Sequence, residues 1–209
     1  MPGREGEQTV RTPDESAEKM LVGILLFDDV EELDFAGPWE VFGIASQLRN
    51  LTAFSISKDG EPIKCRYGLK VRPDHSFANS PRLGLLIVPG GRGAREKVRF
   101  DAETLAFIKN HAARAMTASV CTGALILAEA GLLDGIRATT HAYQLDLLRK
   151  YPKVKVLGDH RFIFEGNVAT SAGISAGIDL SLELLRRRYG DQFVREIIDI
   201  MEYKTHEQS

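Results

Sequence analysis

The sequence predicts an α/β protein with a mainly parallel central sheet and helices on both faces. Three apolar runs of strand length, 21–27, 83–88 and 116–120, are each followed by a segment with helical character. Continuous apolar runs of this length are typical of strands that are buried on both faces. Because parallel strands require crossover connections, the alternation favours an open sheet that is covered by helices.

The first helix is predicted directly after Asp34. Segment 35–48 has apolar side chains at helical spacing, and Pro38 is acceptable because it falls in the predicted first turn. The expected apolar face consists of Phe35, Trp39, Phe42 and Ala45.

Shorter signals predict the remaining elements. Segment 51–57 alternates weakly, a hairpin is expected within 62–72, and Gly131 is the predicted stop of a helix over 123–130. Further helices are predicted at 101–114, 143–150, 175–188 and 191–203, and further strands at 154–156, 161–164 and 168–170.

Length and charge limit the classes of protein that this chain can be. With 209 residues, 44% of them hydrophobic, the chain can build one substantial core, and we predict a single domain over 20–209. The formal net charge is -2, with no basic block of the kind that follows a phosphate backbone. No apolar run approaches the roughly 20 residues of a membrane span. We therefore expect neither a nucleic-acid partner nor a membrane partner.

Residues 1–19 are polar and lack the apolar stretch of a secretory signal. We interpret them as a flexible N-terminal extension and expect the protein in the cytoplasm. The two cysteines, Cys65 and Cys121, are too few for a disulfide scaffold and lack the spacing of a zinc site. We therefore predict a free thiol and no metal site, and we interpret Cys65 as structural.

Cys121 lies where a predicted strand passes almost directly into a predicted helix. Ser119 precedes it by two positions and Gly123 follows it by two, and such small residues suit a sharp nucleophile-bearing turn. Because a helix N-terminus stabilises a thiolate, we expect a lowered pKa for Cys121. The amides of Thr122 and Gly91 are candidates for stabilising developing negative charge. Spacing alone leaves open the alternative that Cys121 is a small core residue.

Three features of the predicted sheet fall at one edge. Ligands of open α/β sheets bind beyond the carboxyl ends of the strands, where the Asp34 loop, the Gly90-Gly91 loop and Cys121 are all expected. Asp34 is a candidate acid at this edge, but an aspartate before a helix is also a normal N-cap. Position alone leaves both interpretations of Asp34 open.

Five separated motifs carry a resemblance to a known family. They are LFDDVEELDFAGPWEVF, IVPGG, SVCTGALILAEAGLLDG, RATTH and SAGISAGID, in this order. Over about 20–203 the chain resembles the ThiJ/PfpI superfamily and, within it, the isocyanide hydratase branch. The resemblance implies a flavodoxin-like α/β/α sandwich, assembled as a homodimer.

The resemblance also implies roles for individual residues. Cys121 matches the nucleophile of that branch, and Asp34 matches the acid whose protonated carboxyl group hydrogen-bonds the cysteine sulfur. The implied substrate-site residues are Gly91, Thr122, Ala172, Gly173 and Ile174. Burial and like-charge repulsion are expected to raise the pKa of such a carboxyl group, so that it remains a proton donor at neutral pH.

Missing histidines argue against hydrolase branches of the fold. The loop that supplies a His-x-Glu pair in related amidotransferases reads TSAGIS here, and the protease-like branch has a histidine where this chain has Thr122. His141 is interpreted as a structural or pocket-lining residue, although the branch tends to have an aromatic residue where Ala142 follows it. Glu31 and Glu32 are interpreted as solvated charges.

The resemblance implies cysteine-dependent hydration of an isocyanide, a small-molecule substrate, to an N-substituted formamide, with no metal or organic cofactor. Two alternatives remain open. One is glyoxalase or deglycase action on small reactive carbonyls, and the other is a non-catalytic redox or ligand sensor. Similar motifs occur in transcription regulators that continue into a helix-turn-helix region. Because this sequence ends soon after Tyr203, we expect no DNA-binding region.

Overall fold

The structure, a computed structural model, describes residues 19–204. Seven of its strands form a central sheet in which only the two strands nearest one edge, 162–165 and 168–171, pair antiparallel. The predicted mainly parallel sheet is therefore confirmed. The strands are β1 (Met20–Leu25), β2 (Leu51–Ser57), β3 (Ile63–Lys64), β4 (Lys70–Val71), β5 (His75–Ser76), β6 (Leu85–Val88), β7 (Met116–Ser119), β8 (Arg137–Ala138), β9 (Lys155–Val156), β10 (Phe162–Glu165) and β11 (Val168–Ser171).

Their order in the sheet is β10-β11-β7-β6-β1-β2-β5. The predicted hairpin within 62–72 is confirmed as the antiparallel pair β3–β4. The helices are α1 (Glu32–Leu48), α2 (Arg92–Glu96), α3 (Ala102–Ala112), α4 (Gly123–Glu129), α5 (Leu145–Leu148), α6 (Ala176–Tyr189) and α7 (Asp191–Ile200), with 3-10 turns at Val98–Phe100 and Ala142–Gln144.

Helices cover both faces of the sheet. Strand side chains alternate between two cores, so that Ile24 packs into one and Leu25 into the other. The first core lies under α1, α6 and α7, and the second lies under α2, α3, α4 and α5. This three-layer arrangement is the predicted α/β/α sandwich.

Helix α1 differs from its prediction. It begins at Glu32, before Asp34, because acidic side chains in a first turn are favoured by the positive end of the helix dipole. Pro38 consequently lies inside the helix, and its predicted place in the first turn is wrong. Trp39, expected on the buried face, is 39% exposed, whereas Phe35 and Phe42 are buried.

Four short elements were not predicted, namely strands β5 and β8, helix α2 and the 3-10 turn Val98–Phe100. Edge strand β5 has two residues and helix α2 has five, so neither is long enough to show a hydrophobic period. Helix α4 ends as predicted, with Gly131 in the left-handed region at a φ of 73°. The predicted extension 1–19 lies outside the described residues except for Lys19.

Candidate active site

A sharp turn carries Cys121 from strand β7 into helix α4. The residue has a positive φ of 55°, which is uncommon for non-glycine residues and recurs at nucleophile-bearing turns. Its N–H donates to the Ala172 carbonyl at 3.1 Å and holds this backbone in place. A Cβ on Gly123 would lie 2.0 Å from the Val88 carbonyl oxygen, so the turn requires glycine there. The predicted strand-to-helix turn is confirmed.

The Asp34 carboxyl group is fully buried and interacts with the Cys121 thiol. Its Oδ2 accepts a hydrogen bond from the Gly90 N–H at 3.0 Å. Among residues 19–204, Oδ1 has no hydrogen-bond partner, and the Cys121 thiol lies close enough to influence the pKa of this carboxyl group. The N-cap of α1 is Glu31, and Asp34 lies within the first turn. The interpretation of Asp34 as an N-cap is therefore wrong.

Burial dominates the protonation of both groups. It raises the pKa of Asp34 to about 7, although hydrogen bonds from Gly90 and Cys121 act in the opposite direction. Burial, followed by the charge of Asp34, raises the pKa of the Cys121 thiol to about 12. The predicted lowering of this thiol pKa is wrong, because desolvation of the thiolate outweighs the favourable amides around it. The two groups therefore titrate as a pair that retains one proton above neutral pH.

Two backbone amides, those of Thr122 and Ile174, hydrogen-bond to the Cys121 sulfur and favour its thiolate form. The Gly91 amide behaves differently, because its N–H donates to Thr122 Oγ1 at 2.9 Å. Gly91 lines the cavity beside Cys121, but its amide is engaged and is not free to stabilise charge on a ligand in this structure. The amides that can act on a ligand at the sulfur are therefore those of Thr122 and Ile174.

The loop after strand β11 packs beside the thiol, as the family resemblance implies. Ala172 supplies the carbonyl that anchors Cys121, and Ile174 supplies an amide from a backbone with a φ of 43°. A left-handed conformation is strained for a β-branched residue, so the surrounding structure must impose it. A Cβ on Gly173 would lie 2.1 Å from Cδ2 of His141, so glycine allows the imidazole ring to approach the loop.

A cavity of about 290 Å³ opens onto Cys121. His141 lines it, as predicted, and its Nδ1 accepts a hydrogen bond from the Tyr143 N–H at 3.2 Å. Burial first, and then the charge of Arg95, lowers the pKa of His141. The imidazole is therefore neutral at physiological pH, with Nδ1 engaged by the backbone.

Glu31 is a buried member of this site, and its interpretation as a solvated charge is wrong. Its side chain forms a 2.8 Å ion pair with Arg66, which reaches it from the β3–β4 hairpin. Glu32 is also not simply solvated, because its Oε1 accepts a hydrogen bond from the Tyr67 N–H at 2.7 Å. The hairpin therefore closes one side of the cavity by pairing with the start of α1.

The fold, the thiol turn and the buried carboxyl group agree with one family. The model of the DJ-1/PfpI family matches residues 20–187. The chain belongs to the DJ-1/PfpI family. The predicted ThiJ/PfpI membership is thereby confirmed.

Relatives of this DJ-1/PfpI chain include an enzyme and a regulator. The isonitrile hydratase of Pseudomonas putida is 39% identical over 170 residues, which cover 81% of this chain and 72% of the hydratase. The HTH-type transcriptional regulator GbdR of Pseudomonas aeruginosa is 29% identical over 196 residues, or 92% of this chain, but only 53% of the regulator is matched. The hydratase is therefore more similar to this chain than the regulator is, both in sequence identity and in the fraction of its own length that is matched.

Solved structures of the DJ-1/PfpI family have the same fold. A ThiJ/PfpI family protein from Pseudomonas syringae has a TM-score of 0.83 and 30% identity, covering 98% of this chain and 82% of that chain. Drosophila melanogaster DJ-1beta has a TM-score of 0.81 at 19% identity, covering 90% of this chain and 100% of that chain. The second likeness shows the fold alone.

Several cavity residues of this DJ-1/PfpI protein were not predicted. Arg66 and Tyr67 lie in the hairpin, Arg95 in α2 and Gln144 in a 3-10 turn. None belongs to a spacing pattern, because each reaches the cavity from a short or irregular segment.

Cys65 is buried and lies outside this cavity, and burial raises the pKa of its thiol to about 11, which fits the structural interpretation.

No helix within residues 19–204 is both long and apolar enough to cross a membrane. The same part of the chain contains no group of three or more histidine, cysteine or acidic residues arranged to hold a metal ion.

Proposed function

We propose that this protein hydrates an isocyanide to an N-substituted formamide, with Cys121 as nucleophile and Asp34 as proton donor and acceptor. The observation that carries the proposal is the position of the buried Asp34 carboxyl group beside the Cys121 thiol, where each affects the pKa of the other, next to a cavity. Similarity to an isonitrile hydratase over most of the chain supports the same chemistry. An isocyanide carbon suits this pair, because it accepts a nucleophile and a proton at the same atom.

Above about pH 7 the pair retains one proton, which passes from the Cys121 thiol to the Asp34 carboxylate as the sulfur attacks. The Cys121 sulfur forms a bond to the terminal carbon of R–NC, and the Asp34 carboxyl group protonates that carbon. The product is a thioimidate, R–N=CH–S–Cys121, and Asp34 becomes a carboxylate. The amides of Thr122 and Ile174, which favour a thiolate, stabilise the attacking sulfur before the bond forms.

Water completes the reaction and restores both side chains. The water oxygen bonds to the thioimidate carbon, one water proton goes to nitrogen, and the other goes to the Asp34 carboxylate. The carbon–sulfur bond then breaks and releases R–NH–CHO and the Cys121 thiolate. The sum is R–NC + H2O → R–NH–CHO, with the proton on Asp34 recovered.

Formamide production from methyl isocyanoacetate, followed by NMR, tests the proposal. We expect turnover by the wild-type protein and by Cys65→Ala, and none by Cys121→Ala above the rate without protein. Turnover that survives in Cys121→Ala would exclude the nucleophile, and no turnover by the wild type would exclude the hydratase. Methylglyoxal consumption in that second case would favour the carbonyl alternative, and Cys121 oxidation without either turnover would favour the sensor.

We further propose that residues 20–209 act as one domain, in the cytoplasm, and that two copies form a homodimer. The family resemblance supports the dimer, and Leu33 and Trp39 on α1 provide apolar surface, at 40% and 39% exposure. Light scattering coupled to gel filtration should give twice the chain mass. A mass equal to one chain at micromolar concentration would refute the homodimer.

A further inference from the structure

The cavity next to Cys121 contains more positive than negative charge on its lining side chains. Arg66 and Arg95 contribute two cations, and Glu31 contributes one anion. Glu31 pairs with Arg66 at 2.8 Å. Arg95 has no carboxylate within ion-pair distance among residues 19–204, although Nη1 donates to the Gly91 carbonyl at 3.1 Å. A half-buried guanidinium is thus left without a counterion beside the proposed nucleophile.

The position of Arg95 is fixed by its surroundings. Its side chain is tied to the Gly91 carbonyl, and its own carbonyl accepts a hydrogen bond from Arg99 Nε at 2.7 Å. A guanidinium has five N–H donors in a rigid fork, and the bond to Gly91 uses only part of it. Such a fork suits the two oxygens of a carboxylate in a planar, bidentate contact.

The charge of Arg95 extends into the cavity. After burial, it is the largest cause that lowers the pKa of His141, and Arg66 acts in the same direction. Arg95 and Arg66 line the same cavity as His141, and their positive charges disfavour a protonated imidazole. Because His141 stays neutral, it does not compete with these cations for an incoming anion.

We propose that Arg95, with Arg66 beside it, binds an anionic group on the substrate, so that the preferred isocyanides are small isocyano carboxylates. This inference rests on the proposed hydration and adds the class of substrate. A cavity of about 290 Å³ suits a compact substrate. The isocyano carbon would meet Cys121 while the carboxylate would meet the Arg95 fork. Arg95 would then act in binding rather than in bond making.

A matched pair of substrates tests the inference. Isocyanoacetate and methyl isocyanoacetate differ in charge at the group that would meet Arg95. We expect the wild-type kcat/KM to be at least about tenfold higher for the acid than for the ester, as a charged hydrogen bond allows. In Arg95→Met this ratio should fall about tenfold, mainly through the KM of the acid, and Arg95→Lys should restore part of it.

Arg92→Met is the matched control, because it removes the same charge from the same helix at a position outside the cavity. It should leave the ratio unchanged, since the 2.7 Å ion pair of Arg92 with Asp29 is exposed. Calorimetric titration with N-formylglycine, the expected product, gives a readout that does not need turnover. Its Kd should rise about tenfold in Arg95→Met and not in Arg92→Met.

The outcomes separate this inference from the proposed function. Turnover of the ester without any preference for the acid would overturn the inference and leave hydration standing. An equal loss of kcat/KM for both substrates in Arg95→Met would also overturn it. So would a fall in the acid-to-ester ratio that is as large in Arg92→Met as in Arg95→Met. Turnover of neither substrate by the wild type would overturn hydration and the inference together.

Discussion

The side chains of Asp34 and Cys121 are both buried, and desolvation sets the protonation of each. Asp34 is fully buried, and its pKa rises to about 7 because desolvation disfavours the carboxylate. The Cys121 thiol is desolvated in the same place, and its pKa rises to about 12. Among residues 19–204, no histidine contributes to either shift in pKa. The arrangement instead places the proposed nucleophile and the proposed proton donor side by side, which is what addition to a single carbon atom needs.

Asp34→Asn should have opposite effects on stability and on activity, because it removes a buried group that is costly to ionise but is proposed to transfer the proton. The folded protein keeps the Asp34 proton up to about pH 7, whereas the unfolded chain releases it near its ordinary value of 3.8. The loss of free energy of unfolding that comes from ionising the buried Asp34 carboxyl group therefore grows between these pH values and is constant above them. It reaches at most about 4 kcal/mol.

We therefore expect Asp34→Asn to gain free energy of unfolding, relative to wild type, as the pH rises from about 4 to about 8. Urea unfolding of both proteins across this range measures the difference. The same variant should lose at least about a hundredfold in kcat for formamide formation, since it cannot exchange the proton. A difference in unfolding free energy that does not change with pH would contradict the raised pKa.

Thr122 and Thr139 form a matched pair of buried hydroxyls. Thr122 Oγ1 accepts from the Gly91 N–H and donates to the Gly91 carbonyl, at 2.9 and 3.2 Å. Thr139 Oγ1 is buried without a hydrogen-bond partner among the described residues. Thr122→Val should cost about 1–3 kcal/mol in free energy of unfolding, because it leaves the Gly91 amide unsatisfied.

Thr139→Val should be neutral or should stabilise by about 1 kcal/mol, because it removes a buried hydroxyl that has no hydrogen bond within residues 19–204. Denaturant unfolding of the two valine variants gives both values. Equal destabilisation by the two substitutions would contradict the hydrogen-bond assignment at Gly91.

At the scale of elements, long buried strands and amphipathic helices could be predicted from the sequence, whereas several of the short elements could not. The run that forms β1 and the turn at Cys121 have strong signals, because continuous apolar residues favour a buried strand and small residues favour a sharp turn. Strand β5 forms by hydrogen bonding to β2, and helix α2 forms in contact with α4. Local sequence does not encode either contact. The start of α1 was misplaced because Asp34 fits both an N-cap and a first turn.

Two glycines distinguish a required close approach from an ordinary helical position. Gly123→Ala should cost about 3 kcal/mol or more, because its Cβ would lie 2.0 Å from the Val88 carbonyl oxygen. Gly43→Ala, in α1, meets no atom within 4 Å and should stabilise by about 0.5–1 kcal/mol through reduced backbone entropy. Thermal unfolding checks both values. A mild effect at Gly123 would contradict the tight turn.

At the scale of the whole molecule, the sheet brings distant segments to one edge. Asp34 follows β1, Gly90 and Gly91 follow β6, and Cys121 follows β7, and these strands are neighbours in the sheet. This convergence was predictable, because the carboxyl ends of parallel strands share an edge. The charged lining was not predictable, because Glu31, Arg66 and Arg95 meet only through tertiary pairing.

Trp39 tests the proposed assembly. A half-exposed tryptophan on α1 is costly in water and would be covered if this face joins two copies. Trp39→Glu should therefore lower the light-scattering mass from two chains toward one, whereas Tyr143→Glu, at an 89% exposed residue beside the cavity, should not. An unchanged mass for Trp39→Glu would place the interface elsewhere.

The most direct test of the Cys121–Asp34 chemistry is the rate of formamide formation from methyl isocyanoacetate as a function of pH, with Cys121→Ala as the baseline. The reactive form of the pair carries one proton, so kcat/KM should rise with an apparent pKa of about 7. Above that value it should stay level, because the second proton leaves only near 12. A wild-type rate that equals the Cys121→Ala rate at every pH would contradict the proposed chemistry.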